Sequence, residues 1–329
     1  MIREQDYSIV KLGVIGTGRI AKRFAPEVKF VSGTNLEGVY NPRIESANAY
    51  AQQFELKFAT NDLDDFFKRI DAVYIASPHI THYEYIKRAL NAGKHVLCEK
   101  PMVLEARQAT EMFSLAKGKG LVLMEAIKTA YAPGFLQLLA IARSGRIGQI
   151  RDVEATFTKL VEGDVRELRP EECGGSVTEL ASYPLLAIVK LLGTNYKEIR
   201  FERFDDESGV DVYSKIHLKY NGAVATAKVG LGVKSEGQMV ISGTQGYIYV
   251  EAPWWKTQHF EVRHENPEHN EKFFSKFATE GIRYELGDFI SRIYGHENKG
   301  FKLTEQESVA IVRIIEQFLA GKSKAVVRA

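Results

Sequence analysis

Short apolar runs alternate with longer stretches of mixed polarity through the first 124 residues of the chain. Uninterrupted apolar runs are typical of strands buried on both faces of a parallel sheet, and the stretches between them have the spacing of helices. The runs are Ile9–Ile15, Leu36–Tyr40, Ala72–Ala76, His95–Cys98 and Leu121–Met124. We therefore predict a first domain of βαβ units over residues 1–124.

The pattern changes near residue 150, where runs with alternating apolar and polar positions become common. Turn signals such as Asn221-Gly222 and Gly243–Gly246 separate these runs in the manner of hairpins. The predicted strands are Asp152–Leu160, Val212–Tyr220, Ala223–Val229, Met239–Ser242 and Tyr247–Val250, and the predicted helices are Gly134–Arg143, Tyr183–Leu192, Tyr284–Tyr294 and Glu305–Leu319. Residues 125–329 are therefore expected to form a second α/β domain on a mostly antiparallel sheet.

Composition excludes several classes of protein. The 329 residues carry a formal net charge of +2, with 44 basic and 42 acidic side chains spread without long runs. No basic arm for nucleic acid or membrane is present, and no stretch approaches the roughly 18 apolar residues of a membrane span. The two cysteines, Cys98 and Cys173, cannot form a disulfide framework. We expect a soluble cytoplasmic protein, and the histidine and cysteine spacing predicts no metal site.

A glycine-rich segment follows the first predicted strand and precedes a predicted helix. Its sequence is Gly16-Thr17-Gly18-Arg19-Ile20-Ala21. The G-x-G-x-x-A spacing allows a tight turn and a close approach to a pyrophosphate, and the helix start offers N–H groups to it. We predict that Gly16 to Ile20 bind a dinucleotide. Pro26 should kink or shorten the following helix.

The end of the second predicted strand bears on which dinucleotide is bound. An acidic residue here would bind the ribose 2′-hydroxyl of NAD and repel a 2′-phosphate, but the chain has Asn41-Pro42-Arg43. Arg43 is able to reach a phosphate, so we favour NADP over NAD as the cofactor. The alternatives are that Arg43 starts a solvated helix over Ile44–Phe54, or that both cofactors are used.

Polar groups also follow two later strands. They are Ser77, Pro78 and His82 after Ala72–Ala76, and Glu99, Lys100 and Pro101 after His95–Cys98. Ligands of open parallel sheets bind outside the carboxyl ends of the strands, so these groups are candidates for cofactor contacts. The alternatives are a surface Glu99–Lys100 pair and a capping or surface role for His82.

These motifs, together with Gly174-Gly175-Ser176-Val177-Thr178-Glu179-Leu180-Ala181-Ser182-Tyr183-Pro184, make the sequence resemble the Gfo/Idh/MocA oxidoreductase family. The resemblance covers nearly the whole chain and is greatest for the branch of dimeric dihydrodiol dehydrogenase and glucose–fructose oxidoreductase. It implies a Rossmann domain, a second α/β domain with a large open sheet, and a nicotinamide cofactor bound between the two domains. It also implies self-association through that sheet, as a homodimer or homotetramer.

The resemblance implies a catalytic set of Lys100, Tyr183 and Glu179. Lys100 is able to deliver a proton to a developing alkoxide if its surroundings lower its pKa, and Tyr183 is placed to act as acid, base or relay. Glu179 stands where the family usually has aspartate. Lys128 stands where relatives carry an aromatic residue, and it and Arg166 are candidates for binding substrate oxygens, or are solvated loop charges.

We therefore expect an NAD(P)-dependent oxidoreductase that moves hydride between nicotinamide and a hydroxyl or carbonyl group of a sugar, polyol or diol. Two other functions are compatible with the motifs. One is glycoside hydrolysis through transient oxidation by retained NAD, and the other is a non-enzymatic cofactor-binding regulator.

Overall fold

The structure is a computed structural model that describes residues 8–296, 300–321 and 325–326. Its first elements are β1 Val10–Ile15, α1 Arg19–Val28, β2 Thr34–Tyr40, α2 Ile44–Phe54, β3 Phe58–Thr60, α3 Leu63–Lys68, β4 Ala72–Ile75, α4 His82–Asn91, β5 His95–Glu99, α5 Ala106–Gly118 and β6 Leu123–Ala126. The later elements are α6 Pro133–Ala142, β7 Ile150–Thr158, α7 Ser176–Leu180, α8 Ser182–Leu192, β8 Glu198–Asp205, β9 Asp211–Lys219, β10 Val224–Gly230, β11 Met239–Gly243, β12 Tyr247–Val250, β13 His259–Arg263, β14 Glu271–Phe274, α9 Ile282–Ile293, α10 Glu305–Leu319 and β15 Ala325–Val326.

The described chain divides into two compact units. The first contains residues 8–103, 107–128 and 279–296, and the second contains residues 104–106, 129–278 and the described residues from 300 onward. The predicted single boundary after residue 124 therefore needs correction, because the chain returns to the first unit through α9. This helix packs on α1 and β5 with buried Ile282, Leu286 and Phe289.

The first unit is built on a six-stranded parallel sheet in the order β3-β2-β1-β4-β5-β6. Strand β4 is fully buried along its length, as its uninterrupted apolar sequence predicts. The direction of order reverses between β1 and β4, so the carboxyl ends of these strands face the crevice where open α/β sheets bind ligands. The predicted Rossmann fold is confirmed, and Pro26 lies in the last turn of α1.

The second unit is built on a nine-stranded sheet in the order β14-β13-β12-β11-β7-β10-β9-β8-β15. The pairs β7–β10 and β8–β15 are parallel, and the other described pairs are antiparallel. The predicted mostly antiparallel sheet is therefore confirmed. Helices α7 and α8 pack on β7, β9 and β10, and α10 packs on α8.

The helix α8 is the centre of the second unit's core. All of its residues from Ser182 to Leu191 are buried. Among the described residues, no single helix has both the length and the hydropathy of a membrane span, although the bent pair Pro170–Leu180 and Ser182–Leu192 has them jointly.

Candidate active site

The turn after β1 leaves the start of α1 unobstructed. Gly16 has a φ of +100°, and a Cβ there would lie 2.6 Å from the Ala76 carbonyl oxygen, so the turn requires glycine. Gly18 is the N-cap of α1, and a Cβ at this position would meet no heavy atom within 4 Å. Residues 17–20 are exposed or half-buried. The helix start is open to an anion, and binding of a pyrophosphate by this loop stays a prediction.

Asn41 connects the glycine-rich turn to the start of α2. Its Nδ2 donates to Thr17 Oγ1 at 3.0 Å, and its Oδ1 accepts the Arg43 N–H at 2.9 Å. Asn41 is buried, whereas the Arg43 side chain is exposed. The amide group thus holds the two loops together, and the charged group at this strand end belongs to Arg43.

His82 is held between the ends of β4 and β5. The ring is fully buried, with Nδ1 3.0 Å from the Pro101 carbonyl oxygen and Nε2 2.9 Å from that of Ser77. Burial lowers its pKa to about 3, and a neutral imidazole donates to one of these carbonyls at a time. Neither ring nitrogen is available to a cofactor, in contrast to the expectation of a direct contact.

The loop after β4 is ordered by its own side chains. The Thr81 hydroxyl lies 2.7 Å from both Ser77 Oγ and the Pro78 carbonyl oxygen. Together with His82, these contacts fix Ser77 and Pro78 at the carboxyl end of the strand, where they were predicted to contact the cofactor.

Glu99 fixes the backbone at Lys100. The Tyr74 hydroxyl donates to Glu99 Oε1 at 2.5 Å, and the Lys100 N–H donates to Glu99 Oε2 at 3.3 Å. Tyr74 is fully buried against Phe24, with ring centroids 3.8 Å apart. Burial, and then the charge of Glu99, raises the pKa of Tyr74 well above its usual range, so Tyr74 remains a donor. Lys100 is half-buried at the strand end.

A further carboxyl group near Glu99 was not predicted. Glu285 of α9 is 1% exposed, and its Oε2 has no hydrogen-bond partner. Burial, and then the charge of Glu99, raises the pKa of Glu285 well above its usual range, while Lys128 opposes this. The sequence signal was a glutamate on the apolar side of an amphipathic helix, between Ile282 and Leu286.

Lys128 is a cation whose charge acts on Glu285. Its side chain is 15% exposed and its Nζ lies 3.8 Å from Glu280 Oε2. Burial lowers the pKa of Lys128, against the opposite effect of Glu285 and Glu280. Lys128 is therefore a largely buried cation whose ion-pair partner, Glu280, is partly exposed to solvent.

Tyr183 is the second residue of α8, in the second unit. It is 9% exposed, and its ring centroid lies 5.1 Å from that of Phe157 in β7. Phe157 stacks in turn on Trp255, with centroids 3.7 Å apart and planes within 6°. Two surface pockets of about 510 and 480 Å³ share Trp255 and Lys234 in their walls. An aromatic row therefore runs from Tyr183 to an open surface.

Glu179 pairs with Arg166 on the neighbouring loop. Glu179 Oε1 lies 2.8 Å from Arg166 Nη2, and Glu179 is buried. The buried Arg166 Nη1 has no hydrogen-bond partner. The structure thus brings together Arg166 and Glu179, two of the predicted site residues of this unit.

The two thiols and the arrangement of possible metal ligands do not extend the candidate site. Cys98 is buried and Cys173 is partly exposed, and both are free. In the ranges that the structure describes, no cluster of histidine, cysteine and carboxylate side chains is arranged to hold a metal ion.

Comparison with protein families gives two matches. A family described as an oxidoreductase family with an NAD-binding Rossmann fold matches residues 10–127. The Gfo/Idh/MocA C-terminal domain matches residues 135–249.

Similar proteins of known name are dehydrogenases and reductases. The chain is 28% identical over 319 residues to scyllo-inositol 2-dehydrogenase (NADP(+)) IolU of Bacillus subtilis (strain 168), covering 94% of this chain and 96% of the relative. It is 28% identical to trans-1,2-dihydrobenzene-1,2-diol dehydrogenase of Sus scrofa over 265 residues, 79% of each protein.

The fold is shared with a solved structure of KijD10, a 3-ketoreductase from Actinomadura kijaniata, in complex with NADP and TDP-benzene. The TM-score is 0.85 at 22% identity, and the match covers 97% of this chain and 99% of that chain.

Proposed function

Because the chain belongs to the Gfo/Idh/MocA family of NAD(P)-binding oxidoreductases, we propose that it transfers hydride between NADP and a sugar, polyol or diol. The observation that carries this proposal is the fixed position of Lys100 at the end of β5. Glu99 holds its N–H, and His82 lies against the Pro101 carbonyl beside it.

The cofactor pocket favours NADP over NAD. The end of β2 carries no carboxylate to repel a 2′-phosphate, and exposed Arg43 stands beside the N-terminus of α2. Asn41 donates to the Thr17 hydroxyl and accepts the Arg43 N–H, so it links the glycine-rich turn to the start of α2. When bound, the nicotinamide supplies or accepts the hydride.

Lys100 and Tyr183 are the proposed proton donors and acceptors. Reduction of a ketone places negative charge on oxygen, and a lysine ammonium or a phenol stabilises that charge and transfers a proton to it. Glu99 fixes the backbone of Lys100, and the Phe157 ring constrains Tyr183. The carboxylate of Glu179 acts through Arg166, which it orients.

The substrate side is proposed to bind a ring bearing hydroxyl groups. The face-to-face pair of Phe157 and Trp255 next to Tyr183 offers a flat apolar wall, and Arg166 Nη1 is a buried donor without a partner. These features suit the inositol and diol classes named for the relatives. Lys128 is a second candidate cation for substrate oxygens.

The proposed assembly is a homodimer or homotetramer through the second unit's sheet. On β12, Ile248 and Val250 are buried, so Tyr247 and Tyr249 lie on the opposite, more exposed face. Arg263 lies 5.0 Å from the Tyr249 ring centroid on that face. A broad surface of half-buried aromatic and charged side chains suits contact with a second copy. We place the protein in the cytoplasm because both cysteines are free.

A substrate screen tests the proposed reaction. Purified protein, checked first for retained cofactor, is given NADP or NAD with inositols, sugars and diols while nicotinamide absorbance is followed. We expect NADP-dependent turnover of at least one polyol or diol. Release of sugar from a glycoside without net absorbance change would instead support hydrolysis through transient oxidation, and binding of cofactor without any turnover would support a regulator.

A further inference from the structure

Asp211, the first residue of β9, directs its carboxyl group to the start of a neighbouring helix. Asp211 is 4% exposed, and its Oδ2 accepts the Val177 N–H at 3.0 Å and the Ser214 hydroxyl at 2.8 Å. Val177 is the second residue of α7, the short helix that contains Glu179. The carboxyl group therefore caps α7 from another element.

The helix needs a cap from outside because its own N-cap residue has no side chain. Gly175 has a φ of +130°, and a Cβ there would lie 2.1 Å from Asp211 Oδ1. Glycine is thus required both by the backbone angle and by the approach of the carboxyl group. The first N–H groups of a helix lack intrahelical partners, and Asp211 satisfies one of them.

A second pair of hydrogen bonds fixes the same turn. The Ser176 hydroxyl donates to the Asp211 carbonyl oxygen at 2.9 Å and accepts the Leu231 N–H at 3.0 Å. The first two residues of α7 are therefore attached to β9 and to the residue that follows β10. A helix of five residues has little stability of its own, so these attachments set its direction.

The direction of α7 determines where α8 begins. The Ala181 N–H donates to the Val177 carbonyl oxygen at 3.0 Å, and the Leu185 N–H donates to the Ala181 carbonyl oxygen at 3.0 Å. Tyr183 lies within this continuous chain of hydrogen bonds. A displacement of Val177 is therefore transmitted to the backbone that carries Tyr183.

Burying the Asp211 carboxyl group carries a desolvation cost. Burial raises the pKa of Asp211 to about 7, although the hydrogen bonds from Ser214 and Val177 act in the opposite direction. An apolar residue would avoid this desolvation cost but would leave the Val177 N–H without its acceptor.

We propose that Asp211 is a positioning residue that fixes Tyr183 and the Glu179–Arg166 pair by capping α7 from β9. This inference rests on the proposed function, in which Tyr183 takes part in proton transfer. Small displacements of a proton donor reduce the rate of chemistry more than they reduce binding.

Three variants test the proposal by steady-state kinetics. In Asp211→Ala we expect kcat per folded subunit to fall about 10- to 100-fold, as misplaced catalytic groups do, with an unchanged dissociation constant for NADPH. Asp211→Asn keeps an acceptor oxygen and should retain most of the turnover. Leu218→Ala, a buried position further along β9, controls for lost stability and should lower the melting temperature with kcat per folded subunit unchanged.

A second readout does not depend on turnover. Protein labelled with 13C at tyrosine Cζ gives a Tyr183 signal that is assigned by its absence in Tyr183→Phe. We expect the chemical shift of this signal to change in Asp211→Ala. In Asp211→Asn and in Leu218→Ala it should stay at the wild-type value.

The outcomes separate the two claims. A folded Asp211→Ala protein with wild-type kcat and an unshifted Tyr183 signal would overturn the positioning role. Absence of turnover in the wild type would overturn the proposed function. The Tyr183 signal would then still show whether Asp211 fixes the position of Tyr183.

Discussion

Single residues decide the choice between the two dinucleotides in this account. Arg43 carries an exposed positive charge at the N-terminus of α2, and Asn41 uses its amide group to hold Thr17 and the Arg43 N–H. Neither position carries the carboxylate that would repel a 2′-phosphate. The proposed preference for NADP therefore depends on one guanidinium group.

Arg43→Ala should weaken NADPH binding about 10- to 100-fold, because a hydrogen bond to a charged group contributes about 1.5–3 kcal/mol. NADH affinity should change little, since NADH lacks the 2′-phosphate. Fluorescence titration with NADPH and with NADH gives the two dissociation constants. The control is Lys29→Ala, which removes a positive charge at the C-terminal end of α1, away from the glycine-rich turn. An equal loss for both dinucleotides would show that Arg43 does not read the 2′-phosphate.

The residue types of the site were predictable from sequence, but their partners were not. Glu99 and Lys100 were identified as a pair at the end of a strand. The donor to Glu99 is Tyr74, which lies 25 positions earlier within another apolar run. His82 was identified from its place after Ser77, yet its two contacts come from strand ends that only the folded sheet brings together. Such partners depend on tertiary packing, which local patterns do not encode.

The helix α9 was predicted at nearly its observed position but was assigned to the second domain, whereas it belongs to the first unit. Linear order places it after the strands of the second sheet, and its apolar face gives no information about its partner. The structure attaches it to the first unit, where Arg283 Nε lies 2.8 Å from Glu27 Oε2 of α1 and Arg283 stacks on Phe30. Glu27 is 3% exposed.

Arg283→Met should lower the free energy of unfolding by about 3 kcal/mol, because it leaves a buried carboxylate unpaired. Although burial acts to raise the pKa of Glu27, the hydrogen bonds from Arg283 and Thr279 lower it overall. The contribution of the pair is therefore present above the usual glutamate pKa and is lost as the pH falls. Urea unfolding at neutral and acidic pH measures both effects.

The variant and the wild type should converge in stability at acidic pH. An equal difference at both pH values would contradict the assignment of the pH dependence to this pair. Arg69→Met, which removes an exposed pair with Asp65, is the matched control and should change stability by less than about 1 kcal/mol.

In the large sheet, α7 and α8 pack on β7, β9 and β10. Burial alternates along β12, so Tyr247 and Tyr249 share the more exposed face, beside Arg263 of β13. The sequence pattern predicted β12 but not β13, and only the structure shows which of their residues avoid the core. The proposed oligomer uses this face.

Tyr249→Glu should convert the oligomer to a monomer, because it removes an aromatic ring from the contact surface and places a second carboxylate directly opposite Glu261. Light scattering coupled to size-exclusion chromatography measures the mass directly. Gln53→Glu, on the exposed side of α2, adds the same charge elsewhere and should leave the mass unchanged. A wild-type protein that is already monomeric would contradict the proposal.

The proposed hydride transfer is tested by following deuterium from NADPH that carries deuterium at both C4 positions to the carbonyl carbon of the best substrate in the screen. We expect label in the product with the wild type. We also expect a rate lowered about 10²- to 10⁴-fold in Lys100→Met and in Tyr183→Phe, the usual contribution of a proton donor, with NADPH still bound. Label transfer at the wild-type rate in both variants would overturn the proton-donor roles, and no label transfer with the wild type would overturn the proposed hydride transfer.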